Sequence, residues 1–222
     1  MNITIVGGGF GGVRAALQLA QSTDQTITLI SDRDYFQYYP SLYSTATGRS
    51  QMESWIPLGV IFARQPKVRV IVDTVTHIDI NAKELNAASG AVYSYDQCIL
   101  ALGVVTTHFG IKGLSEYSHG VKSKEDIHAL KRHLYVDIVE RRKVDRNIVI
   151  IGGGPTGVEL AAAMSTYIES LHKRYGVKQR AFKVHIIEAA PRVLCRMSES
   201  TSRAVEERLA RLGVKVTTGK VV

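Results

Sequence analysis

The chain has 222 residues, 45% hydrophobic and 22% charged, with a formal net charge of +8. Those proportions suit a globular chain of one or two domains and exclude disorder, collagen-like repeats and disulfide-stapled miniproteins. The longest uninterrupted apolar stretches, such as Ile56 to Ala63, run about eight residues, whereas a membrane-spanning helix needs about twenty. Met1-Asn2 leads directly into an apolar run with no space for a targeting peptide, so a cytosolic segment is expected. The charge is unevenly divided. Residues 1–111 carry 7 Lys and Arg against 8 Asp and Glu, and residues 112–222 carry 21 against 12. That basic half is compatible with a nucleic acid, an anionic membrane, a polyanionic cofactor or simply a solvated surface.

In chain order, the apolar run Ile3 to Val6 meets Gly7-x-Gly9-x-x-Gly12, then a helical stretch with Val13, Ala16, Leu17 and Ala20 on one face. A strand is predicted over 26–30. Residues 68–72, 75–80, 84–88 and 91–93, punctuated by Asp73, Asn81 and Ser89-Gly90, read as a four-stranded antiparallel meander. Residues 97–102 form a strand ending at Gly103. Ser123 and Asp126 have capping-box spacing, and Ile127, Leu130, Leu134 and Ile138 make the stripe of the helix they start. The basic run Arg141-Arg142-Lys143 suits the negative pole at that helix's end. The first pattern then recurs: Ile148 to Ile151, Gly152-x-Gly154-x-x-Gly157, a helical face of Val158, Ala161, Ala162 and Ile168, and a strand over 183–187. A last helix over 200–212 stops at Gly213 and feeds a strand over 214–217.

Strand, glycine turn, helix, strand is the βαβ unit, and two copies imply an α/β chain with two Rossmann-like dinucleotide-binding folds. The expected architecture is two parallel sheets, with an antiparallel β-meander in the first fold and a truncated second fold. A diphosphate needs backbone N–H groups aimed at it and no side chain in the way. Gly7 and Gly152 make the bend, Gly9 and Gly154 let the backbone approach the pyrophosphate, and Gly12 and Gly157 let helix and strand pack closely. Glu188, directly after the second strand, can accept hydrogen bonds from both ribose hydroxyls and repels a 2′-phosphate, favouring NAD(H) over NADP(H); Arg192, four residues on, could soften that preference. In the first copy Ser31 takes the equivalent place. Either Asp32 reaches the ribose from one position further on, or Ser31 does so more weakly.

The segments VGGGFGGVRAALQLA, TLISDRDYFQYYPSLYSTATG, QCILALG and IVIIGGGPTGVELAAAM with IIEAAPRVL resemble type II NADH dehydrogenases. These are single-subunit, non-pumping NADH:quinone oxidoreductases within the two-dinucleotide-binding flavoprotein superfamily. The resemblance implies FAD in a first domain over 1–110, and NADH in an incomplete second domain over 111–222 that includes a linker helix. By the resemblance, Gly7, Gly9, Gly12 and the Ser31/Asp32 pair contact the adenosine diphosphate of FAD, and Val75 reaches the adenine through its backbone. Ala101, Leu102 and Gly103 match a second FAD-contacting motif, and Thr45, Ala46, Thr47 and Gly48 pass close to the isoalloxazine. Gly152, Gly154, Gly157 and Glu188 hold NADH, and Glu159 matches the glutamate near the nicotinamide; its plain alternative is an acid in the first turn of a helix. The implied reaction is hydride transfer to the flavin, then reoxidation by a quinone, with the cofactor carrying the chemistry.

The seven histidines, His77, His108, His119, His128, His133, His172 and His185, show no metal-ligand spacing. Neither C-x₄-C nor C-x-x-C occurs, which separates the chain from disulfide reductases of the superfamily. Cys98 reads as inert core, and Cys195 offers only a remote parallel to the catalytic cysteines of sulfide:quinone oxidoreductases. The family is about twice this length and carries a Gly-Asp strand end and an amphipathic C-terminal membrane segment, neither present here. The chain is therefore expected to be the N-terminal part of a protein lying on the inner face of the cell membrane, with a homodimer compatible, and to bind FAD poorly alone. Two other readings stand beside this one: a related flavoenzyme with a protein or small-molecule acceptor, and a non-enzymatic nucleotide-binding module. Binding of nucleic acid is not expected, because the aromatics Tyr35, Phe36, Tyr38, Tyr39 and Tyr43 cluster in the neutral half.

Overall fold

The structure is a computed structural model that describes residues 1–105, 107–108, 110–142, 147–177 and 183–222. In chain order the elements are β1 (Asn2–Val6), α1 (Phe10–Ser22), β2 (Thr26–Ser31), β3 (Tyr35–Gln37), α2 (Leu42–Ala46), β4 (Trp55–Pro57), α3 (Leu58–Ile61), β5 (Val68–Val72), β6 (Val75–Asp79), β7 (Glu84–Ala87), β8 (Val92–Ser94) and β9 (Gln97–Leu100). There follow α4 (Leu114–Tyr117), α5 (Lys124–Tyr135), β10 (Asn147–Ile151), α6 (Pro155–Tyr175), β11 (Lys183–Ile187), α7 (Glu199–Arg211) and β12 (Val214–Thr217). They fall into two units. The first comprises residues 1–39 and 51–105, the second residues 40–50 and 106–222.

The first unit is built on a four-stranded parallel sheet in the order β5-β2-β1-β9. Successive side chains of a strand point to opposite faces. Ile5, Ile27 and Leu29 therefore pack with Val13, Ala16 and Ala20 of α1 and with Leu58 and Phe62, while Val6 and Ile30 pack on the other face with Leu85 of the meander. Full burial of each such aliphatic side chain stabilises the unit by about 2 kcal/mol.

One element departs from expectation. Residues 68–72 do not open the meander; they join the parallel sheet beside β2, with Ile27 opposite Val68 and Leu29 opposite Val70. The reason lies in a strand apolar on both faces: Val68 and Val70 pack on the α1 side and Ile71 on the meander side, as suits a sheet covered twice. The antiparallel meander is accordingly three strands, β6-β7-β8, turned at Gly90, whose φ is +85°.

The second unit holds a parallel sheet in the order β10-β11-β12. Val184 and Ile186 of β11 alternate inward, and Leu160, Ala161, Met164 and Ile168 form the buried face of α6. The capping box of α5 is present: Ser123 Oγ accepts from Asp126 N–H at 3.0 Å, and Asp126 Oδ2 accepts from Ser123 N–H at 3.1 Å. Ile127, Leu130, Leu134 and Ile138 are buried as a stripe. After Tyr135 the helix widens into a π turn over Val136–Glu140. Arg141 closes that turn by pairing with the carboxylate of Asp137 at 3.3 Å, and Lys143 lies outside the described residues. Helix α7 starts on Ser198, whose Oγ accepts from Thr201 N–H at 3.2 Å, one residue earlier than the spacing predicts.

Candidate functional site: two glycine turns

The two glycine turns obey the same local rules. Gly7 and Gly152 take φ of +113° and +106°, in the region that favours glycine, and each N–H donates to a carbonyl at or next to the end of the adjoining strand, Ile30 O and Ile187 O, both at 2.8 Å. Five residues on, a Cβ at Gly12 would lie 1.8 Å from Gly7 O, and one at Gly157 would lie 2.0 Å from Gly152 O. Only glycine lets each helix start that close to its own turn. Gly9 and Gly154 stand in extended backbone at the helix starts with nothing within 4 Å of where a Cβ would be. The backbone at each helix start is therefore unobstructed, the arrangement that lets an anion approach the N-terminal end of a helix.

In the first unit this turn opens into a cleft of about 430 Å³. Of the residues predicted from sequence, Gly7, Gly9, Asp32, Val75, Ala101, Leu102 and Gly103 all line it. Gly12 and Ser31 stand behind the lining, Gly12 by closing helix on turn and Ser31 by lying buried beneath Gly8. The open choice between Ser31 and Asp32 now has a geometry. Ser31 Oγ accepts from Arg33 N–H at 3.3 Å, while the Asp32 carboxylate is on the cleft wall, gripped by the Arg33 guanidinium at 2.9 and 2.7 Å. The hydrogen bonds from Arg33 hold the Asp32 carboxyl below the usual carboxylate range, and Arg33 is held protonated in return. Being half-exposed, this pair adds little stability; its effect is to keep a charged acceptor aimed at the cleft.

Sequence reasoning missed Arg33, Tyr35, Gln37, Tyr39 and Asp73 on the same wall. Asp73 follows β5 directly, and its carboxylate accepts from Thr74 N–H at 2.8 Å, from Tyr93 Oη–H at 2.8 Å and from the Ser89 hydroxyl. These bonds lower the Asp73 pKa, Ser89 first and Tyr93 next, and raise that of Tyr93. Asp73 thereby pins the meander beside Val75, where the β6–β7 register shifts. Read as turn punctuation, Asp73 gave no signal of this, because Ser89 and Tyr93 are 16 and 20 residues away.

The remaining predicted residues lie in the second unit. Thr45 and Ala46 are buried on α2, Thr47 caps it, and a Cβ at Gly48 would lie 2.7 Å from Tyr167 Cε2 of α6. Gly152, Gly154, Gly157 and Glu188 come together at the second turn. The Glu188 carboxylate accepts from the N–H of Gly153 with one oxygen and from that of Ala190, at 2.7 Å, with the other. Arg192 points elsewhere. Its guanidinium donates to Leu194 O at 3.2 Å, Cys195 O at 2.8 Å and Ser202 Oγ at 2.6 Å. Glu159 is exposed on α6 but sits at the fifth helical position, beyond the first turn, so the dipole alternative does not describe it. A helix starting at Pro155 leaves the first turn without an acid.

Cys98 is half-buried within β9 and burial pushes its thiol up, away from reactivity; Cys195 is exposed. Among the described residues no group of three His, Cys, Asp or Glu could hold a metal ion, and no helix is long and apolar enough to cross a membrane.

The chain is 32% identical to the type II NADH:quinone oxidoreductase Ndh of Mycobacterium tuberculosis, over 99% of this chain and 50% of that protein. It is 30% identical to the type II NADH:quinone oxidoreductase of Staphylococcus haemolyticus, over 96% of this chain and 55% of that protein. It thus spans about half the length of the curated relatives it matches. Among solved structures, NDH2 from Plasmodium falciparum in complex with NADH shares the fold at a TM-score of 0.86 and 24% identity, covering 98% of this chain and 47% of that one. The sulfide:quinone oxidoreductase of Aquifex aeolicus does so at 0.77 and 24%, covering 98% and 51%. The profile of the pyridine nucleotide-disulphide oxidoreductase family matches residues 1–222 in full, and the chain belongs to that family.

Proposed function

We propose that the protein carrying this chain is an FAD-dependent NADH:quinone oxidoreductase, with FAD at the first glycine turn and NADH at the second. The carrying observation is the pair of matched turns, each with an open helix start and a carboxylate at the adjoining strand's end. Flavin bound there supplies a two-electron acceptor for the hydride of NADH and a donor to the quinone. The chain's own residues bind and orient. N–H groups at the start of α1 take the diphosphate, Asp32 accepts from ribose hydroxyls, and the Val75 backbone meets the adenine edge. At the second turn the start of α6 takes the diphosphate of NADH and Glu188 its ribose. Glu159 presents a carboxylate able to accept a hydrogen bond from the nicotinamide carboxamide. Because a quinone is lipid-dissolved, this reading puts the whole protein peripherally at the inner face of the cell membrane. The quinone is favoured over a protein acceptor by the two relatives of 32% and 30% identity described above, each named a type II NADH:quinone oxidoreductase.

The test is anaerobic titration of the full-length protein. Bound flavin should bleach with one equivalent of NADH and recover on adding a quinone. Bleaching without recovery by any quinone would transfer the reading to another acceptor, and absence of flavin would end it.

A further inference from the structure

Arg192 lies four residues beyond the carboxylate expected to recognise the ribose, the position from which a cation could receive a 2′-phosphate. The structure gives it other work. The loop after β11 doubles back on the second glycine turn: Leu194 N–H donates to Gly153 O at 2.9 Å while Gly153 N–H is held by Glu188. Gly153 is thus gripped through both of its backbone polar groups. The return requires a kink at Leu194, whose φ of +50° lies in the left-handed region that a leucine resists. That kink turns two successive carbonyls, of Leu194 and Cys195, toward one point, and the Arg192 guanidinium occupies it. Its third acceptor, Ser202 Oγ, is 2% exposed and itself donates to Val193 O at 2.7 Å, tying the loop to α7. Val193 is fully buried, and its Cγ1 would be 3.0 Å from a Cβ at Gly153.

We infer that Arg192 is a positioning residue for the second nucleotide site: it holds the kinked loop that clamps Gly153 and aims the Glu188 carboxylate, and it is not a 2′-phosphate ligand. The inference rests on the assignment of NADH to this turn. A planar fork with five donors can satisfy three fixed acceptors at once, and a lysine cannot. Three fixed acceptors hold the guanidinium in the loop, so the site keeps Glu188 as its ribose reader and selects the dinucleotide that lacks the 2′-phosphate.

The experiment measures Kd for NADH and NADPH, together with flavin content, for the full-length wild type, R192A, R192K and S202A. R192A should weaken NADH about tenfold, the cost of a loosened clamp and of the part-buried Leu194 carbonyl and buried Ser202 left without their donor, and weaken NADPH by no more than the same factor, with flavin content unchanged. R192K should resemble R192A despite keeping the charge. S202A, a milder break of the same node, should weaken NADH about threefold and serves where R192A fails to fold. NADH binding unchanged in R192A, or in S202A where R192A does not fold, overturns the inference. So does a loss of NADPH greater than that of NADH, or rescue of NADPH binding by R192K. If the wild type binds NADH and the variants do not follow the pattern, only this inference fails; if the wild type binds neither nucleotide, the NADH assignment fails with it.

Discussion

Both glycine turns bring a helix start within 2.0 Å of the turn carbonyl, measured to the Cβ a larger residue would carry, yet they hold their carboxylates differently. At the second turn Glu188 follows the strand directly, and its longer side chain reaches back to the N–H groups of Gly153 and Ala190. At the first turn the equivalent Ser31 is short and buried, and the carboxylate is displaced to Asp32, where a neighbouring guanidinium steadies it. The lesson is that the backbone cradle is dictated by sterics and tolerates one solution. The acid proposed to read the ribose needs only to be held and oriented, by backbone N–H groups at Glu188 and by a guanidinium at Asp32.

The largest test of the shared part is Gly12→Ala against Gly157→Ala. Each places a methyl on a turn carbonyl and should cost about 3 kcal/mol. Flavin content should collapse in the first variant, and NADH binding should collapse with flavin retained in the second. Equal loss of both ligands in either variant would break the assignment of one nucleotide per turn. Next in size, Glu188→Gln removes a charged acceptor from two N–H bonds and should raise the Kd for NADH about thirtyfold while narrowing the gap to NADPH, read by isothermal titration.

At the first turn Asp32→Ala should weaken FAD about tenfold and Ser31→Ala less than threefold; the reverse order would return the ribose contact to Ser31. The pH dependence sharpens this further. Asp32 has a depressed pKa, so its ionised form and whatever FAD affinity depends on it persist below the ordinary aspartate range and are lost only as pH falls through the lowered value. Arg33→Ala removes the main cause of the depression, so acid release of flavin should move to higher pH, followed by fluorescence of freed FAD. The smallest effect is expected at Cys195, exposed and with its carbonyl rather than its thiol in use. Cys195→Ser should change stability by less than about 0.5 kcal/mol in thermal melts.

Periodicity and spacing made the two βαβ units, the capping box of α5 and its four-residue stripe legible, because those features are short-range: a turn, a helical face and a cap are complete within a dozen residues. The role of residues 68–72 was not legible. A five-residue apolar strand pairs as readily with a following hairpin as with a distant parallel neighbour, and only the second apolar face on Ile71, matched to the meander, decides between them. The same limit applied at the cleft. Gly7 and Gly9 could be named from a glycine motif and Val75 and Gly103 from the family resemblance, whereas Asp73 carries no motif, and Gln37 and Tyr39, although inside a resembling segment, are assigned no contact by it.

By itself, then, the sequence determined where the chain bends tightly enough to expose N–H groups to an anion, since only glycine at fixed spacing permits the approach of helix to turn. Tertiary structure alone decided that Asp32 rather than Ser31 lines the first cleft, that Arg192 donates to two loop carbonyls and to Ser202 of α7, and that Asp73 ties the meander to the sheet. Each of those depends on partners brought together by packing, and hydrogen-bond geometry in three dimensions leaves no periodic trace along the chain.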